Sequence, residues 1–184
     1  MGRSILRRLA ALLCLSGLLF AAGPPGVWLD VPYIRQPKEG CGAASIAMVM
    51  QYWSQQQKLD APVADVAQIQ RELHSVEGHG IYSSDVGRYF QEHGFRVVMQ
   101  SPERWDNLRA HLEKGRPLVV ALKPLEGKWL HYVVVVGMDW EQNIVMLNDP
   151  AQRKLLKQDR ASFEKEWGGV NNWTLLALPS PPSH

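Results

Sequence analysis

Cys41 lies between Gly40 and Gly42, where the loop Gln36-Pro37-Lys38-Glu39 gives way to the apolar run Ile46-Ala47-Met48-Val49-Met50. A cysteine performs acyl transfer as its thiolate. It needs a base, a group that orients the base, and donors for the oxyanion formed on attack. The start of a helix suits such a nucleophile, because unpaired backbone N–H groups and the positive end of the helix dipole favour a thiolate. Gln36, upstream in the same loop, would form the oxyanion hole together with the backbone N–H of Cys41.

The base and its orienter are sought downstream. His131 heads a strand-like run containing Val133-Val134-Val135-Val136, and Asp149 follows a second run, Ile144 to Leu147, at the turn Asn148-Asp149-Pro150. If these runs pair as a hairpin about Asp139 to Asn143, His131 and Asp149 come close to opposite one another. Each residue taken singly has an ordinary reading: a buried structural thiol, a strand-end histidine, an Asp-Pro turn. Their combination in this order favours catalysis. His74 and His79 share a polar loop, whereas His93 and His111 lie elsewhere, and no two of them form a helical pair. One cysteine beyond the N-terminal segment does not make a usual structural zinc site, so neither metal nor cofactor is expected.

The elements that must position these residues follow from periodicity. Val27 to Ile34 contains Pro32 and reads as an edge strand at best. From Cys41 the pattern is helical, with Ala44, Met48 and Tyr52 on one face and Ala47 and Met50 beside them. Asp60-Ala61-Pro62 predicts a capped helix running to about Leu73, with His74 to Gly80 as a loop. Ser83 or Ser84 is expected to cap a helix bearing Val86, Tyr89 and Phe90 and ending at Gly94. Phe95 to Met99 is a short strand, and Ser101-Pro102 opens a helix that closes at Gly115. Pro117 to Leu122, Trp129 to Gly137, Ile144 to Leu147 and Trp173 to Leu178 predict strands, with a charged helical patch at Ser162 to Trp167. Helices first and an antiparallel meander afterwards define an α+β domain.

The chain of 184 residues, 46% hydrophobic with seven Trp, is sized for a single core. Arg3, Arg7 and Arg8 precede an apolar run from Leu9 to Ala22 and then Gly23-Pro24-Pro25-Gly26, the pattern of a secretory signal peptide. That run is about 14 residues, against roughly 20 for a membrane span, so residues 1–22 are expected to direct export, with an uncleaved anchor as the alternative. The domain proper is then 23–184, and the protein is expected in the periplasm or secreted. Losing three Arg and no acid takes the formal charge from +2 to −1 and leaves no basic stripe for nucleic acid. Only Cys41 of the two cysteines remains, an unpaired thiol in an oxidising compartment.

Gln36, the Gly40-Cys41-Gly42-Ala43-Ala44 turn, the strand opening His131-Tyr132-Val133 and the Asn148-Asp149-Pro150 turn resemble the bacteriocin-processing cysteine peptidases. These are papain-like domains that cut leader peptides after a double glycine. The segment Gly80 to Phe95 is similar to that family's middle segment. The resemblance implies Cys41 as nucleophile, His131 as base, Asp149 as orienter and Gln36 as oxyanion donor, acting on a peptide or protein substrate. Two other readings use the same residues: acyl transfer to an amine, and a non-catalytic module that holds a peptide in the cleft.

Overall fold

The computed structural model describes residues 25–58 and 64–181. The expected export segment and the Asp60-Ala61-Pro62 helix start lie outside the described residues. The sheet is antiparallel, with β1 (Gly26–Trp28), β2 (Phe95–Gln100), β3 (Leu118–Leu122), β4 (His131–Asp139), β5 (Ile144–Asn148), β6 (Leu156–Asp159) and β7 (Thr174–Pro179). Spatial order is β2-β7-β3-β4-β5-β6, and β1 pairs with the far end of β4. The described helices are α1 (Cys41–Gln56), α2 (Val66–Leu73), α3 (Ser83–Glu92), α4 (Trp105–Leu112) and α5 (Arg160–Gly168). The α+β class read from the sequence is therefore the observed one.

Alternation along β4 explains the layering. Tyr132, Val134 and Val136 pack with Ala43, Ile46, Ala47 and Val49 of α1 and with Val86, Tyr89 and Phe90 of α3. Val133 and Val135 pack on the opposite side with Trp105, Leu108 and Leu112 of α4 and Phe163 and Trp167 of α5. Successive strand residues point to opposite faces, so four valines in a row mean a strand covered on both sides. Helix α1 is buried along most of its length. Its far end is tied down by polar groups, with Tyr52 Oη donating to Gly115 O (2.8 Å) and Trp53 Nε1 to Ala177 O (3.0 Å).

Several boundaries differ from expectation, each for a local reason. Helix α2 starts at Val66, where Asp65 Oδ1 accepts from Ala67 N at 2.8 Å. Tyr82, not Ser83 or Ser84, occupies the N-cap of α3, without a side-chain cap. Helix α4 begins at Trp105, after the buried Glu103 carboxylate accepts from Arg104 N and Asn107 Nδ2. The strand near the N-terminus is only Gly26–Trp28. It lies against Gly137, where an added Cβ would come within 2.7 Å of Val27 O. The second half is also more than a meander, because β7 crosses to pair with β3 and β2. Strand β6, half-exposed and mostly polar, carries no sequence signal strong enough to mark it.

Phe163 is fully buried on the α4/α5 side, away from Cys41. Phe163→Ala is expected to lower unfolding free energy by about 3–5 kcal/mol through lost transfer energy and a residual cavity. Denaturant titration checks the loss, and an effect under about 1 kcal/mol would show that this layer is loosely packed.

Candidate active site

The nucleophile turn is built by close approach. Gly40 N donates to Pro37 O (3.0 Å), and the Gly40 carbonyl accepts the first helical bond from Ala44 N (2.9 Å). A Cβ on Gly40 would sit 2.7 Å from Pro37 Cδ and 2.9 Å from Gln70 Oε1, so no larger residue fits. Gln70 Nε2 donates to Lys38 O at 2.6 Å, which clamps the loop against α2. No side chain caps α1, whose first residue is Cys41. Its first-turn N–H groups are thus directed at the space beside the sulfur, as both thiolate and oxyanion stabilisation require. Cys41 is a free, partly exposed thiol.

His131 opens β4 and is hydrogen-bonded to Asp149. Its Nε2 lies 2.7 Å from Asp149 Oδ1, and the ring also interacts with the side chain of Cys41. The side chains of His131 and Asp149 are 19% and 4% exposed, so the ion pair is poorly screened by water. Burial by itself would lower the imidazole's pKa. The bond to Asp149, the bond to Cys41 and the negative charges of both overcome it and raise the pKa to about 9. The imidazole is therefore protonated at neutral pH and can serve as an acid.

Asp149 is oriented as firmly as a backbone group. Its Oδ1 accepts from Ala151 N (2.9 Å) and its Oδ2 from Gln152 Nε2 (2.7 Å). Burial would raise its pKa, but the His131 bond and charge and these further donors hold it below the usual carboxylate range. The hairpin between β4 and β5 forms as expected, with a different register. Val134 pairs with Asn148, and a bulge lies between Val135 and Gly137. His131 and Asp149 are accordingly diagonal, not opposite. They meet because the chain turns at Pro150, with Gln152 N donating to Asp149 O, and diagonal neighbours lie within reach of long side chains.

Gln36 is placed by the same turn. Its backbone N donates to Pro150 O (3.0 Å), Tyr33 Oη donates to that carbonyl, and Asn148 Nδ2 donates to Val31 O (3.0 Å). The segment 31–36 is thus stitched to the turn carrying Asp149. Gln36 Oε1 is buried with no hydrogen-bond partner. Asn148, fully buried and also accepting from Leu155 N, escaped the sequence reading as a positioning group. Its place beside Asp149 was the available signal. Tyr132, next to His131, packs edge-on against Trp173 (5.6 Å), and burial, then the charges of Cys41 and Asp85, push its phenol pKa up.

Among the described residues no group of three or more His, Cys, Asp or Glu side chains is arranged to hold a metal ion. No described helix is long and apolar enough to cross a membrane.

Comparison with known proteins gives a consistent picture. The chain is 32% identical over 144 residues to the transport/processing ATP-binding protein ComA of Streptococcus pneumoniae, covering 77% of this chain but only 18% of that protein. Its fold matches a C39-like peptidase from Bacillus anthracis with a TM-score of 0.67 at 20% identity, covering 85% of this chain and 99% of the other. It also matches a double glycine motif protease from an AMS/PCAT transporter, solved in complex with the leader peptide, with a TM-score of 0.60 at 21% identity over 84% and 95% of the two chains. Residues 28–174, carrying the Cys41 turn, His131 and Asp149, match the Peptidase_C39 like family, and the chain belongs to that family of papain-like cysteine peptidases.

Proposed function

We propose that this protein is an exported cysteine peptidase that hydrolyses a peptide bond through Cys41, His131 and Asp149, with Gln36 as an oxyanion donor. The observation that carries the reading is the 2.7 Å bond from His131 to a buried, ionised Asp149, on an imidazole whose electrostatic partners also include Cys41. The thiolate adds to the peptide carbonyl, and the oxyanion is met by the Cys41 N–H and the Gln36 side-chain amide. Protonated His131 passes its proton to the leaving amine as the C–N bond breaks, leaving an acyl-enzyme on sulfur. Neutral His131 then takes a proton from water, whose oxygen attacks the thioester and releases the carboxylic acid and the thiolate, restoring the starting pair with protonated His131. Asp149 keeps the ring in place through both proton transfers. Peptides are the substrate class that the family and the leader-bound relative support. Residues 1–22 would carry the domain out of the cytoplasm, which N-terminal sequencing of the periplasmic or secreted chain would test.

Iodoacetamide alkylation of Cys41 at pH 7 is expected to be fast in wild type and slowed by His131→Ala. Gln36→Ala is expected to alkylate like wild type yet to hydrolyse an internally quenched Gly-Gly peptide roughly 10²–10³-fold more slowly, because it loses only an oxyanion donor. Mass spectrometry should trap an acyl group on Cys41. Alkylation indifferent to His131, with no acyl-enzyme, would instead support a peptide-binding module.

The pH profile has a definite sign. Because the imidazole pKa is raised to about 9, the acid needed by the leaving amine is present at neutral pH and lost as pH rises through about 9. Turnover should fall along that alkaline limb. Asp149→Asn removes a group that favours the protonated ring, so its limb should move toward lower pH. A limb that stays in place would show that Asp149 does not act on His131.

A further inference from the structure

A cluster that the proposed mechanism leaves unused joins the two sides of the catalytic pair. Glu39 precedes Cys41 by two positions, and Trp129 precedes His131 by two positions. Between them stands the small loop 75–80, closed by Ser75 N to Gly80 O (2.8 Å), Gly80 N to Ser75 O (3.2 Å) and Gly78 N to Ser75 Oγ (3.0 Å). His79, in this loop, has Nδ1 3.6 Å from Glu39 Oε1, and its ring stacks on Trp129 with centroids 4.1 Å apart at 27°. His74, where the loop leaves α2, has Nε2 3.1 Å from Glu39 Oε2. One imidazole thus touches the segment that carries the nucleophile and the segment that carries the base.

Two further observations separate this cluster from an ordinary surface ion pair, which would contribute little. Glu39 and His79 both occupy the left-handed backbone region, at φ 56° and 50°. Non-glycine residues there carry strain that surrounding contacts must hold, and such strain concentrates at functional sites. Trp129, moreover, is 44% exposed at the end of the β3–β4 connection, and its ring rests on His79 while Lys128 Nζ stands 4.8 Å from its centroid. The hydrogen bond from His74, opposed by partial desolvation and aided by His79 and Lys38, holds Glu39 below the usual carboxylate range and so ionised across neutral pH.

We propose that loop 75–80 is a clasp that holds the Cys41 turn against the head of β4, with His79 as a positioning residue acting through Glu39 and Trp129. It rests on the peptidase reading above. The clasp touches neither the reacting sulfur nor the imidazole. Its effect is on the fraction of time the thiol and His131 are within hydrogen-bonding distance, a geometry to which rates are steeply sensitive.

The test uses the full chain, with iodoacetamide as a probe too small to bind the loop and the quenched Gly-Gly peptide as substrate. His79→Ala is expected to slow Cys41 alkylation at pH 7 and kcat together, by roughly tenfold, with KM within about twofold. Glu39→Gln should show a smaller loss of the same kind. Trp129→Phe, which keeps an aromatic ring under His79, should stay near wild type. Unfolding temperatures should stay near the wild-type value for all three, since the contacts are at the surface. His79→Ala with wild-type alkylation and kcat overturns the clasp while leaving the peptidase intact. So does a loss confined to a higher KM, which would make the loop a substrate contact only. Wild-type alkylation that ignores His131→Ala brings down the peptidase reading, and the clasp with it.

Discussion

The bond between His131 and Asp149 is the contact that the rest of the arrangement serves. An almost fully buried carboxylate is costly unless every acceptor site is used, and Asp149 uses its own with His131, Ala151 N and Gln152 Nε2. The last two donors come from the turn after Pro150, so the carboxylate is held in part by the chain that directly follows it. The histidine then cannot swing away from the sulfur without leaving a buried charge unpaired, which is far more costly than breaking a surface pair.

Around that bond the molecule divides the work between the two sides of one sheet. Helix α1 lies on one face, anchored at its far end through Tyr52 and Trp53, and presents an uncapped N-terminus to the site. Helices α4 and α5 cover the other face with Trp105, Phe163 and Trp167, which make β4 a strand buried on both sides. A rigid strand start and a rigid helix start meet at one place. Such support on regular elements holds a reacting pair more closely than loops do. The segment 31–36, which has little regular structure of its own, acquires its position from Asn148 and Pro150.

Much of this was legible in particular residues. Val133 to Val136 signalled a strand covered on both faces because polar alternation is missing there. Cys41 between glycines marked the helix start, and Gly94 and Gly115, at φ 83° and 69°, end α3 and α4 as glycine-rich helix termini commonly do. Other features were hidden for physical reasons. Strand β6 is a half-exposed edge whose Lys157 and Asp159 look like loop residues. The β4 bulge moves the register by one without any marker in the valine run. Glu39, the loop bearing His74 and His79, and Trp129 are far apart in sequence, and their pairing depends on how α2 and the β3–β4 connection pack.

The sequence by itself determined the chemistry available: one thiol at a glycine-flanked helix start, an imidazole at a strand head, a carboxylate before a proline, and an α+β pattern able to bring them together. Those are local properties, set by side-chain type and by the period of apolar residues. Only the tertiary structure decided that His131 reaches Asp149 diagonally, that Asn148 and Pro150 fix the irregular segment bearing Gln36, and that an imidazole protonated at neutral pH stands beside the sulfur. Burial, register and the sum of nearby charges belong to no single segment, and they exist only once the sheet and the helices have packed.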